Sequence, residues 1–186
     1  MRSAAIIALL ALLAACGQEP ARQTGACDLS AESQFSFSNS EAPDAAIASA
    51  FGPSCDQAVV QLTLRNSAGD PLWTHAGTYH SMVHGGPPAP GAAPASAADV
   101  QTFLDAWANV SINTSAALPA WTEDAARPGE EGQPFAYVTP FDRETYERLR
   151  AQDLAQICFA AGAETSRCLV IDPATRTPAL LAEFGP

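Results

Sequence analysis

Between Ala58 and Arg65 apolar and polar residues alternate. Val60, Leu62 and Leu64 fall on one face, and Gln61, Thr63 and Arg65 on the other. That period of two predicts a strand with one buried side. After the turn-forming stretch Asn66 to Pro71, residues 72–82 are expected to return as a second strand carrying Trp73 and Tyr79. Phe35 and Phe37 alternate with polar neighbours and predict a half-buried strand over 34–38. Residues 44–51 read two ways: Pro43 and the small residues suit a helix start, while Ile47, Ser49 and Phe51 alternate as in a strand. The alternation favours the strand. Residues 85–95 (GGPPAPGAAPA) show no periodicity, and their proline content predicts an exposed loop.

The period changes at Ser96. Val100, Phe103, Leu104 and Trp107 stand at i, i+3, i+4 and i+7, one helical stripe, and Ser96 with Asp99 has the spacing of a capping box. A second helix is expected from Thr139-Pro140 through Arg150, where proline is tolerated at an early position and Glu144 and Arg148 are an i,i+4 pair. Residues 118–134 between them read as an acidic loop. Residues 155–160, 168–171 and 179–184 return to strand patterns. The sum is an α+β fold: an antiparallel sheet of hairpins or a meander, two helices, and one domain over residues 27–186.

Five cysteines punctuate the chain: Cys16, Cys27, Cys55, Cys158 and Cys168. No pair has C-x-x-C spacing, which argues against zinc and against a redox dithiol. The last four, an even number, permit two disulfides in three connectivities. Facing Cys158 with Cys168 across a hairpin places Ile157 opposite Leu169. A one-residue slip would scatter those apolar groups. Cys27 then pairs with Cys55 by elimination.

The N-terminus carries an address. Arg2 precedes an uncharged apolar run, Ala4 to Ala15, too short to span a bilayer, which takes about 20 residues. A signal-peptide core has these proportions. The run ends Leu13-Ala14-Ala15-Cys16, which resembles the bacterial lipobox. The resemblance implies that residues 1–15 are cleaved as a signal peptide and that Cys16 is diacylated and then N-acylated. Acyl chains of the palmitate kind would make the membrane a partner through Cys16. Two or more such chains anchor stably where one does not. An ordinary secretory signal ending beside a cysteine fits fewer of these positions. Gly17, in place of an aspartate, favours the periplasmic face of the outer membrane over the inner membrane. Residues 16–26 then form a flexible tether, of which ten residues reach at most roughly 35 Å.

Charge narrows the partners. The chain has no lysine. Removing Arg2 with the signal peptide leaves eight Arg against twenty Asp and Glu, a net charge of −12. Such a surface disfavours nucleic acid, whose binding neutralises phosphates with Lys and Arg, and disfavours anionic headgroups. Absence of lysine excludes Schiff-base and Ser-Lys chemistry.

Candidate chemistry is sparse. His75, His80 and His84 lie within ten residues, with Met82 among them, and imidazole with thioether would suit copper, Cu(I) above all. In a strand His75 and His80 face opposite sides. The plain alternative is one packed strand histidine and two solvated ones. Ser81 is next to His80, but adjacent strand residues diverge. No G-x-S-x-G, H-E-x-x-H or phosphate loop occurs. Glu123-Asp124 and Glu130-Glu131 fall in the acidic loop, where solvated carboxylates lack the desolvation that acid–base work requires. Trp121 is the candidate binding anchor, against the alternative that it pins its own loop. No cofactor is expected. The reading is a lipid-anchored envelope protein with a non-enzymatic binding or interaction module; the rival is a periplasmic metal-binding or catalytic protein built on the histidines.

Overall fold

The computed structural model describes residues 26–38, 40–130 and 135–185. The apolar run, Cys16 and the tether up to residue 25 lie outside them, as does Glu131 with the end of the acidic loop. The fold is α+β, with two antiparallel sheets. The first is a meander of β1 (Cys27–Phe35), β2 (Asp44–Gly52), β3 (Val59–Arg65) and β4 (Pro71–Thr78), in that spatial order. The second comprises β5 (Ser111–Thr114), β6 (Ala136–Val138), β7 (Ala155–Ala160), β8 (Ser166–Asp172) and β9 (Thr177–Gly185), ordered β5-β7-β8-β9-β6. Three helices join them: α1 (Tyr79–His84), α2 (Ala97–Ala108) and α3 (Arg143–Ala151).

On the inner face of the meander Val60, Leu62 and Leu64 pair with Ala50, Ala48 and Ala46. All six are buried. The alanines leave room for α2, which packs across β1 and β2 and buries Val100, Leu104 and Trp107. Its capping box forms in full: Ser96 Oγ accepts from the Asp99 N–H at 3.2 Å and the Ser96 N–H donates back to Asp99 at 3.0 Å. Ile157, Phe159 and Leu169 of the second sheet complete this core. Asp44, itself buried, closes the connection between β1 and β2 by accepting from the N–H groups of Phe37 and Ser38 at 2.8 and 2.7 Å. Buried backbone donors need such a partner wherever the ladder ends.

The reverse face of the second sheet forms another core. Cys168, Val170, Leu181 and Ala182 pack there with Leu118 and with Tyr146 and Leu149 of α3. The pairing slips between Cys168, opposite Ala182, and Leu169, opposite Leu180, so Leu181 is an extra residue on β9. This bulge places Leu181 and Ala182 together in the α3-side core while Leu180 meets the other.

Both disulfides have the expected partners. Cys158 faces Cys168 with Ile157 opposite Leu169, and the bonded Cα atoms are 4.1 Å apart. Cys27 bonds Cys55 across 4.7 Å, tying β1 to the 3-10 turn Cys55–Gln57.

Three elements depart most from the sequence expectation. The strand expected over 34–38 ends at Phe35 and extends back to Cys27, through residues whose polar side chains line the open side. The strand expected to Met82 stops at Thr78 and becomes α1: the Thr78 hydroxyl accepts from the Ser81 N–H at 3.2 Å, and Gly85 closes the helix at φ +76°. The second expected helix starts at Arg143, not at Pro140, because Asp142 caps it, its carboxylate accepting from the Thr145 N–H at 2.7 Å. Its ion pair is Glu147–Arg150 at 3.2 Å rather than Glu144–Arg148. The short strands β5 and β6 carry no pattern long enough to announce them.

Candidate functional site

The region richest in chemistry is the corner where β4 turns into α1. Helix α1 exists because Thr78 and Gly85 define its ends and because Tyr79 and Met82, three residues apart, both point into the core. The helix changes the geometry of the histidines. His80 and His84 are one turn apart and therefore share a face, and their ring centroids lie 5.8 Å apart with the planes tilted by 31°. His80 is buried, 9 % exposed, and its Nε2 lies 3.0 Å from an Asp56 carboxylate oxygen. A carboxylate accepts, so in the neutral imidazole the proton is on Nε2 and the lone pair on Nδ1. That Nδ1 is buried and has no hydrogen-bond partner among the described residues. His84 is exposed.

Asp56 is the hub of the corner. The disulfide partner Cys55 fixes the backbone beside it, and the same carboxylate oxygen also accepts from the Ala95 N–H at 3.0 Å. The Ala95 N–H and the His80 imidazole hold its carboxyl below the usual range. Asp56 thus ties α1 to the end of the proline-rich loop just before α2. No local pattern could have flagged this residue, because its partners are 24 and 39 positions away. Beyond His84 a cavity of about 530 Å³ opens between α1 and the turn joining β7 to β8, with Ser81, His84, Glu164 and Thr165 on its walls.

His75 is elsewhere. It stands on the inner face of β4 opposite Leu62, between Trp107 and Phe159 at centroid distances of 6.2 and 5.9 Å. Its Nε2 meets the Ala161 carbonyl at 3.1 Å and its Nδ1 faces the Arg167 guanidinium at 3.4 Å. Arg167 in turn pairs with Glu183 at 2.5 Å. Burial pushes His75 below the ordinary imidazole value; the Ala161 carbonyl opposes that and the Arg167 charge reinforces it. This imidazole is a polar tie between the two sheets. Met82 is also turned inward, 4 % exposed, and packs over Gly77, where a Cβ would come within 3.2 Å of its sulfur. The four residues grouped in the sequence are therefore divided: His80 and His84 together, His75 half-buried between the sheets, and Met82 in the core. The plain alternative of one packed and two solvated histidines does not hold either, since His75 is half-buried, His80 buried and only His84 exposed.

Trp121 is pinned. Its indole N–H donates to the Ala125 carbonyl at 2.9 Å, its backbone N–H to Glu147 at 2.5 Å, and its ring stands edge-on to Tyr146 at 6.0 Å. Glu123 and Asp124 are exposed beside it. Ser81 Oγ donates to the Thr78 carbonyl at 3.0 Å, a helix-cap role.

Among the described residues the exposed large apolar side chains fall in two places: Ile112, Phe135 and Val138 on or beside the edge strands of the second sheet, and Phe51 and Val59 on the outer face of the meander. Phe51 and Val59 are cross-strand partners there, 49 % and 36 % exposed, and half-buried Ile47 shares their face. No family model matches the chain, and neither does any curated protein or any solved structure.

Proposed function

We propose that the chain is a lipid-anchored envelope protein, acylated at Cys16, whose residues 27–186 form a non-enzymatic interaction module at the periplasmic face of the outer membrane. The observation that carries the anchor is Leu13-Ala14-Ala15-Cys16 at the end of an uncharged apolar run. The two disulfides support export, since bonds of this kind persist in oxidising compartments. The open outer face of the meander supports the interaction role: a strand pair presenting Phe51 and Val59 to solvent is a surface another protein can cover.

Two measurements test it. Cells fed a palmitate analogue should label the wild-type protein and not Cys16→Ser, which should leave the membrane fraction or stay unprocessed. Equal labelling of both would refute the anchor. A photo-crosslinking residue at position 51 should give a discrete adduct in intact envelopes, and the same residue at exposed Thr175 should give none. Identical patterns from the two positions would sink the interaction role.

A further inference from the structure

We propose that His80 and His84 form a solvent-completed site for a borderline divalent cation, Cu(II) or Zn(II). The two imidazoles lie one helical turn apart on one face of α1, with ring centroids 5.8 Å apart. Histidines at i and i+4 are a spacing at which two ring nitrogens can bind one ion. Imidazole nitrogen suits these metals, and Cu(II) binds such donors most tightly of the first-row divalent ions.

The surroundings of His80 are those of a ligand. Metal-bound histidines commonly give their second ring N–H to a carboxylate, which fixes tautomer and orientation and raises basicity. Asp56 does this here at 3.0 Å, and is itself held by the Ala95 N–H and the adjacent Cys27–Cys55 bridge. The lone pair this leaves is on Nδ1, a buried atom with no hydrogen-bond partner among the described residues. A buried polar atom without a partner is uncommon and costs stability. A cation at Nδ1 removes that cost. His84 supplies the second ligand: it is exposed, so its ring is free to turn toward His80. Among the described residues no three His, Cys, Asp or Glu side chains are gathered as a ready-made metal site. The remaining positions are left to water on the side of His84, which is exposed and lines the cavity with Ser81 and Glu164. Such a site exchanges its metal. It excludes the soft Cu(I)–thioether chemistry suggested by the sequence, because Met82 is turned into the core.

The test uses the full-length protein, purified in detergent and stripped of metal, titrated with Cu(II) by calorimetry and read by electron paramagnetic resonance. Wild type should show one saturable equivalent with nitrogen superhyperfine splitting from two imidazoles. His84→Ala, at an exposed position, should keep the circular dichroism spectrum and lose that equivalent. Asp56→Asn should retain it with affinity lowered by about 10- to 100-fold, the usual cost of losing a carboxylate behind a ligand. A wild type with no saturable equivalent, or a His84→Ala protein that binds as wild type does, overturns the site.

Discussion

The four-stranded sheet buries one face and leaves the other open, whereas the central strands of the five-stranded sheet are covered on both. In β3 Val60, Leu62 and Leu64 are fully enclosed, whereas on the outer face Val59 is exposed, Gln61 and Arg65 are half-buried, and only the polar Thr63 is buried. In β8 Cys168, Leu169 and Val170 are consecutive and all buried, because α3 lies on one side and the meander on the other. Side chains on neighbouring strand positions point to opposite faces, so a run without alternation is what a doubly covered strand requires. Substitutions in the two sheets should therefore have different consequences.

The largest contrast should come from truncating matched apolar side chains. Leu169→Ala removes a residue that is 0 % exposed and should cost about 3–5 kcal/mol, the transfer loss plus a cavity between packed layers. Phe51→Ala, at a residue 49 % exposed, should change stability by no more than about 0.5 kcal/mol. Urea unfolding monitored by circular dichroism measures both. Comparable costs would mean that the outer face of the meander is covered in the isolated protein.

The disulfides come next. The Cys27–Cys55 bridge spans a sequence separation of 28 and Cys158–Cys168 one of 10. On loop-closure entropy, replacing the first pair by alanine should cost about 3–4 kcal/mol and the second about 2–3 kcal/mol. The bridge serving the open sheet is thus the stronger one. A reversed order of denaturation midpoints would show that native-state packing around Cys168, in the doubly covered sheet, outweighs chain entropy.

The smallest effect concerns pH. His75 joins the two sheets, and its folded value is lowered by burial first, with the Ala161 carbonyl opposing and the Arg167 charge adding to the shift. Below the ordinary imidazole value of 6.5 the unfolded chain takes up a proton more readily than the folded one. Stability should accordingly be at its plateau above about pH 6.5 and fall as the pH drops below it. His75→Gln should flatten that slope between pH 7.5 and pH 5 while the carboxylates remain ionised. An unchanged slope would mean that another group carries it.

These contrasts also explain what could be read in the sequence. β3 is the most legible strand of the meander because it is one-sided: the alternation at 58–65 gives the strand and the face it buries. The capping box and the i, i+3, i+4, i+7 stripe gave α2. The hairpin of β7 and β8 was legible through its cysteines, since facing Cys158 with Cys168 also matched Ile157 to Leu169. What escaped was set by distant contacts. β5 and β6 are edge strands of four and three residues that exist by pairing with β7 and β9. In β2 the large apolar residues Ile47 and Phe51 point outward and the alanines inward, because α2 needs the space. The corner at α1 reads as strand because Trp73 and Tyr79 fit a period of two, while the helix ends Thr78 and Gly85 carry no periodic signal. Asp56, on which the corner turns, has partners too far along the chain for any local pattern to expose.

The Cys27–Cys55 bridge has a mechanical side. If Cys16 is acylated as proposed, any tension in the tether would enter the domain at Cys27, the first residue of an edge strand. An edge strand pulled from its end opens one hydrogen-bonded pair at a time, starting here with Cys27 and Gly52. The covalent link to Cys55 diverts the force before that ladder is reached. It delivers the force between β2 and β3, the two interior strands of the meander. The oxidised domain would then resist a pull at the middle of its sheet, and the reduced domain would peel from its rim.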